Sequence, residues 1–272
     1  MPLVQSARPR PQLAPFVRAY AQRTVGSTES PWTEIVPAQL EQMINIELGV
    51  LPTIRHRDRD VSQRILVGGA QTGYSGSLGL RAGVESFAIF FWPAGWSQLF
   101  NVPIKETTNN FDDALLFHGP SIRELWNRMG EENSFQRRVD LVEEFLMKQL
   151  PNAVRYNRVH AAASYLFTKH GAVSIPRLSL QNSLSLRHFE RLFQADVGMP
   201  PKVFARIARF QSAMDAKLAS PARTWLDIAH SFGYFDQMHM VHDFQRLGRN
   251  TPTQLLLQMG DVRPSALVSP VE

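Results

Sequence analysis

The 272-residue sequence contains no cysteine. Disulfides, thiolate metal sites and cysteine nucleophiles are therefore excluded, and the composition fits a reducing cytosol. Long hydrophobic runs are also missing. The most apolar stretch, residues 87–95, falls far short of the roughly 20 residues a membrane helix requires. The first ten residues are broken by prolines and arginines and lack the apolar core of a secretory signal. The expectation is a soluble, cytoplasmic protein with no membrane partner. Only 19% of residues are charged and 44% are hydrophobic, too apolar for a disordered tail, and the length suits about two domains.

Acidic residues are scarce in one part of the chain only. Over residues 1–151 fifteen Lys/Arg stand against sixteen Asp/Glu, whereas over 152–260 thirteen stand against six. All of the basic excess therefore lies in one segment of about a hundred residues, which also holds six of the eight histidines. Such asymmetry points to a polyanionic partner for that segment, although a well-solvated basic domain would look similar.

The texture of residues 1–111 is strand-like: short apolar runs at 43–48, 64–67 and 86–92 are cut by Gly and Pro, as expected of a β-rich domain enclosing a cavity. The glycine-dense segment Val67-Gly-Gly-Ala-Gln-Thr-Gly-Tyr-Ser-Gly76 lacks the Lys-Ser/Thr of a P-loop and reads as turns. Residues 112–151 change to helical spacing. Ser121-Ile-Arg-Glu124 has the pattern of a capping box, which places a helix start at Ser121. Over 134–150, Phe135, Val139, Val142, Phe145, Leu146 and Leu150 share one face. This segment is expected to be a helical linker and a candidate for homodimer contacts, with folding back on its own domain as the alternative. Residues 152–260 read as all helix, including one from Arg155 to His170 ended by Gly171, and 261–272 as a flexible tail.

The helical segment repeats itself. Phe193 and Phe244 are 51 residues apart, as are Pro201 and Pro252, and each copy reads as a short helix, a tight turn and a second helix ending in Phe-Gln. A helix-turn-helix braces with its first helix and inserts the second into the major groove of DNA, so the second needs one apolar and one polar side. In the first copy Leu186, Phe189, Leu192 and Phe193 supply the apolar side; Arg187, His188, Glu190 and Arg191 are left for base edges, Arg for guanine and Glu for cytosine. In the second, Met240, Val241 and Phe244 face inward, with Gln237, Met238, His239 and His242 toward the groove. Ser185 and Asp236 are the expected N-caps and candidate phosphate contacts, together with Lys202, Arg206 and Arg209 on the helix between the copies. His239 and His242 are spaced i, i+3, but no third ligand stands nearby in the sequence, so no metal site is expected there.

These residues resemble the AraC/XylS transcription regulators. The resemblance runs from about Asn157 to Met259 and rests on Ser185 with Phe189-Glu-Arg-Leu-Phe193, on Gly198-Met-Pro-Pro-Lys-Val-Phe204 leading into Arg209-Phe-Gln-Ser-Ala213, on Ile228-Ala229 with Gly233-Tyr-Phe-Asp-Gln237, and on Phe244 with Thr251-Pro252. It implies a seven-helical DNA-binding domain with two helix-turn-helices reading two successive major-groove segments. Carried over by position, the base-facing sites fall on Arg187, Glu190 and Arg191, and on Met238, His239 and His242. A weaker resemblance, in Leu13-Ala-Pro-Phe-Val-Arg-Ala-Tyr20, Ile35-Val-Pro37, Phe91-Trp-Pro-Ala-Gly95 and Leu99-Phe-Asn-Val-Pro103, implies a cupin-like N-terminal sensor domain.

Three departures stand out. Ser183 occupies a turn position where Gly is common, Ser179 replaces a small apolar residue of the brace, and Arg249 replaces a Gly, with Gly248 next door expected to supply the left-handed residue. The fold expected is thus α+β with two domains, and the function that of a sequence-specific, non-enzymatic regulator of transcription, activator or repressor. Its partners would be promoter DNA, RNA polymerase and an unidentified small effector near Trp32, Trp92, Trp96 and Phe100, with no cofactor. The rival readings are a cupin-like binding or enzymatic domain carrying a DNA module, and a non-specific architectural DNA binder. Against metalloenzyme chemistry, residues 1–151 offer only His56 and His118.

Overall fold

The computed structural model describes residues 3–153 and 157–258. Val154, Arg155 and Tyr156, on which the start of the expected 155–170 helix falls, and the expected tail at 261–272 lie outside the described residues. The described chain is an α+β protein with a β-rich N-terminal part and an all-helical C-terminal part.

Among the described residues ten strands form two antiparallel sheets: β1 (Leu3–Ala7), β2 (Val17–Thr24), β3 (Trp32–Val36), β4 (Gln42–Glu47), β5 (Thr53–His56), β6 (Arg59–Val61), β7 (Ile65–Gly68), β8 (Gly76–Leu80), β9 (Glu85–Phe91) and β10 (Phe111–Asp113). The larger sheet runs β1-β2-β9-β4-β7-β10 and the smaller β3-β8-β5-β6. Strand alternation gives the larger sheet two different faces. On one, Tyr20, Ile44, Ile46, Phe87, Ile89 and Phe91 are buried against four helices, α1 (Gly95–Phe100), α2 (Leu115–His118), α3 (Pro120–Gly130) and α4 (Phe135–Met147). The other carries Ala21, Arg23, Met43, Asn45, Glu47, Ser86, Ala88 and Phe90, and looks across a cavity to the smaller sheet.

The apolar face of α4 is spent inside this domain. Val139, Val142, Phe145 and Leu146 are buried in the core beneath the larger sheet, each contributing roughly 1.5–3 kcal/mol by leaving water. Arg10 is tied to Glu143 of α4 at 2.6 Å, and Arg138 of α4 to Glu85 of β9 at 2.6 Å. The face expected to serve a homodimer is therefore covered by the chain's own sheet. Ser121 also differs from expectation. Helix α3 starts at Pro120, whose missing N–H costs nothing in a first turn; Gly119 is the N-cap, and the Ser121 hydroxyl donates to the His118 carbonyl at 2.7 Å.

Seven helices follow among the described residues: α5 (Arg158–Thr168), α6 (Ile175–Gln181), α7 (Leu186–Val197), α8 (Pro201–Ala219), α9 (Trp225–Ser231), α10 (Gln237–Gly248) and α11 (Pro252–Gln258). The caps expected at Ser185 and Asp236 are present, and Ser174 and Thr224 cap two further helices in the same way. Ser174, Ser185, Thr224 and Asp236 each accept the N–H three residues on, which stabilises each helix start by about 1 kcal/mol. Phe189, Phe193, Phe204, Phe210, Met240 and Phe244 are fully buried in one core that also takes in Ala38, Leu40 and Ala70 of the β-rich part.

The two parts are joined by hydrogen bonds as well. The Ala38 N–H donates to the Leu247 carbonyl at 2.9 Å and the Leu40 N–H to Gln211 Oε1 at 3.1 Å. Gln211 in turn donates to Glu41, which holds Arg18 at 2.7 Å. Gly198, left-handed at φ 83° after α7, lies so close to Thr108 and Ile104 that a Cβ would meet Thr108 Oγ1 at 2.3 Å.

Candidate nucleic-acid interface and inter-sheet cavity

Helices α6–α7 and α9–α10 make the two helix-turn-helix units, joined by the 19 residues of α8, about 28 Å of helix. Their turns each need one left-handed residue: Ser183 at φ 57° in the first and Gly233 at φ 69° in the second. A serine there costs roughly 1 kcal/mol relative to glycine. The polar Ser179 is tolerated because its buried hydroxyl donates to the Pro176 carbonyl at 2.8 Å.

On α7, Arg187, His188 and Arg191 are exposed and Glu190 is half-buried, while Phe189 and Phe193 are sealed inside. Gln194, three residues past Arg191 and also exposed, extends this face and was not singled out from the sequence. On α10, Gln237, Met238, His239 and His242 are exposed, as are Gln245 and Arg246 one turn later. Phe235, just before α10, is 88% exposed. In the sequence it is no different from its neighbour Tyr234, which is buried. Ser185 and Asp236 serve as caps: Ser185 Oγ accepts from the His188 N–H at 3.3 Å and an Asp236 oxygen from the His239 N–H at 2.7 Å. The Asp236 carboxylate, negative like a phosphate, offers it no attraction.

Two of the three cations expected to touch phosphate are engaged inside the domain. Arg206 pairs with Asp243 of α10 at 3.5 Å, and burial holds that carboxyl above its ordinary range. Arg209 donates to the Gly233 carbonyl at 3.3 Å and lies 5.1 Å over the Tyr234 ring. Both bind α8 to the second unit. Lys202 stays exposed. The departure at Arg249 resolves differently from expectation: Arg249 is itself left-handed at φ 58°, whereas Gly248 is helical. A Cβ on Gly248 would lie 2.9 Å from a Leu255 methyl, so its bareness serves the packing of α11 on α10.

The cavity between the sheets measures about 200 Å³. Its wall is mostly apolar, with Ile35, Met43, Ile54, Leu66 and Phe90 among its residues, and polar at Arg23, Glu34, Asn45, Glu47 and Ser86. None of Trp32, Trp92, Trp96 and Phe100 lines it. Trp96 is fully buried beneath the larger sheet, with Phe100 tilted against it at 5.8 Å. Trp92 meets Phe167 of α5 edge-on at 6.0 Å, at the junction of the two parts. Trp32 stands beside the cavity, where its Nε1–H donates to Glu34 at 3.0 Å. Among the described residues no group of three His, Cys, Asp or Glu could hold a metal, and no helix is long and apolar enough to cross a membrane.

Residues 178–258 match the family model described as a helix-turn-helix domain. No curated protein sequence matches the chain. Among solved structures the fold is similar to that of ToxT from Vibrio cholerae. One ToxT structure aligns at 8% identity and TM-score 0.50 over 95% of this chain and 99% of that one. An apo Lys-to-Ala variant of ToxT aligns at 9% and 0.51 over 89% and 98%. A third ToxT, bound to (E)-4-(8-methylnaphthalen-1-yl)but-3-enoic acid, aligns at 8% and 0.50 over 94% and 99%.

Proposed function

We propose that this chain, whose C-terminal domain is a helix-turn-helix domain of the AraC type, is a sequence-specific DNA-binding regulator of transcription governed by a small molecule. The observation that carries the reading is the pair of helix-turn-helix units on one rigid helix, each with a capped second helix that buries its aromatic side and leaves a polar side in water. Two such helices suit two successive major-groove segments. Arg187, Glu190, Arg191 and Gln194 on α7 read bases; His239, His242 and the apolar Met238 on α10 supply polar and thymine-methyl contacts. Lys202 touches phosphate. DNA in the cytoplasm is the partner, and RNA polymerase a further one.

The sensor reading rests on the cavity and on its connection to the helical domain. Ile35, Pro37 and Gln39 line the cavity, and Ala38 between them is bonded to the end of α10. The fold shared with a protein that holds a small organic acid supports the same reading. Selection of the purified full-length chain on sheared genomic DNA at about 0.15 M salt, followed by sequencing, tests the function. A few enriched sites sharing a motif are expected, and Arg191→Ala should cost ~1–3 kcal/mol and relax base choice at one position. An unenriched pool, also with the 152–260 fragment, would identify an architectural binder instead.

A further inference from the structure

We propose that the inter-sheet cavity takes a small organic cation, an apolar body bearing one protonated amine, seated with its ammonium on the Glu47 carboxylate. The inference rests on the sensor reading above and names the chemistry of its ligand. Among the described residues three ionisable side chains line the cavity: Arg23, Glu34 and Glu47. Arg23 and Glu34 answer each other across the two sheets at 3.3 Å, and Trp32 completes Glu34. Glu47 is left. It is fully buried, its oxygens are met by the neutral donors Asn45 and, at 2.6 Å, Ser86, and an ammonium therefore reaches the carboxylate by taking the place of one of these two.

Among the described residues no cation pairs with Glu47. The nearby arginines are directed elsewhere, Arg64 to the Gly49 carbonyl and Arg138 to Glu85 and Gln22. A buried carboxylate without a cation in direct contact is costly, and burial raises the Glu47 carboxyl to about 7 against the lesser pull of Ser86, Asn45 and the more distant charges of Arg23 and Arg64. An ammonium supplied by the ligand would cancel that cost. A carboxylic acid would add a second negative charge to the same enclosure. The remaining wall, from Ile35, Met43, Ile54, Leu66, Leu78 and Phe90, suits the apolar body. The Gln39 amide nitrogen, a buried donor without a partner among the described residues, could donate to a ligand oxygen at the wall nearest the helical domain.

Three probes of one shape but different charge decide the matter: phenethylamine, 2-phenylethanol and phenylacetate, titrated into the full-length protein at pH 8 by calorimetry and thermal shift. The amine should bind at least tenfold tighter than the alcohol, and the acid should not bind. Glu47→Gln should bring the amine to the level of the alcohol. Ala88→Phe, which fills the cavity, should lose the amine and the alcohol while still melting cooperatively and binding DNA. Acid binding as tight as the amine, or amine binding untouched by Glu47→Gln, would overturn the charge assignment and leave a small-molecule sensor standing. Failure of all three probes on the wild type would refute the inference and count against the cavity as the sensor site as well.

Discussion

Replacing Glu47 by Gln removes a titration and little else. The carboxyl ordinarily titrates at 4.5 and is raised to about 7 in the folded protein, mainly by burial. Between those values the native chain keeps a proton that the unfolded chain releases, so stability falls as pH rises through the window. At ~1.4 kcal/mol for each tenfold change in proton affinity, the folded state is about 3 kcal/mol worse off above pH 7 than it is below pH 4.5. Glutamine has no such dependence. Its oxygen can still accept from Asn45, and its amide can donate to Ser86 Oγ once that hydroxyl turns. Any cost of the exchanged hydrogen bonds is independent of pH and cancels when two pH values are compared. Urea unfolding at pH 5 and pH 8, followed by tryptophan fluorescence, provides the comparison; Trp126 donates its Nε1–H to the Glu47 carbonyl and reports on this domain directly. The advantage of the variant over wild type should grow by about 2–3 kcal/mol from pH 5 to pH 8. A difference constant to within about 0.5 kcal/mol would refute the account of Glu47 as a buried, uncompensated carboxylate.

The helical domain invites three further measurements. Lys202→Ala should weaken binding to every DNA sequence and lower the slope of log affinity against log salt by about one, whereas Arg206→Ala should leave that slope alone and cost about 1–2 kcal/mol of stability by depriving Asp243 of its cation; equal slopes for the two variants would show that the two cations face the same environment. Ser183→Gly should raise stability by up to ~1 kcal/mol in a denaturant melt, because the left-handed turn residue ceases to be strained; a loss would mean that the serine side chain contributes more than the strain costs. Gly248→Ala should cost ~1–3 kcal/mol, since the new methyl meets Leu255, and a wild-type melting temperature would show that α11 can yield.

Local signals exposed the helical half well. Caps such as Ser185 and Asp236 lie next to the helices they start, and the 51-residue repeat set the paired aromatics Phe193 and Phe244 in register. What sequence could not convey was the far partner. Lys202, Arg206 and Arg209 look alike on one helix, yet Asp243 and the Gly233 carbonyl, distant in sequence, claim the last two. The cavity was misjudged for a related reason. Aromatic residues suggested a ligand, but Trp96 belongs to the helix-covered side of the larger sheet. The opposite side is marked by Asn45 and Glu47 alternating with Ile44 and Ile46, a pattern that distinguishes two faces without telling which one borders a void. Dimer contacts at 134–150 were drawn from an apolar stripe, and a stripe does not name the surface it meets.

The places where the β-rich part grips the helical part have a mechanical consequence. Leu247 at the heel of α10 hangs from Ala38, Arg249 beyond it rests on the Tyr74 ring at 4.6 Å, and Gly198 at the heel of α7 presses on Thr108. Both reading heads are thus hinged on the same block, like the jaws of a caliper on one frame. If the two helices read DNA as proposed, the pitch at which they meet the duplex, and hence the number of base pairs allowed between the two segments read, would be set by that frame as much as by α8. A molecule that swells or tightens the space between the sheets would therefore act on the gauge of the caliper rather than on the teeth of either jaw.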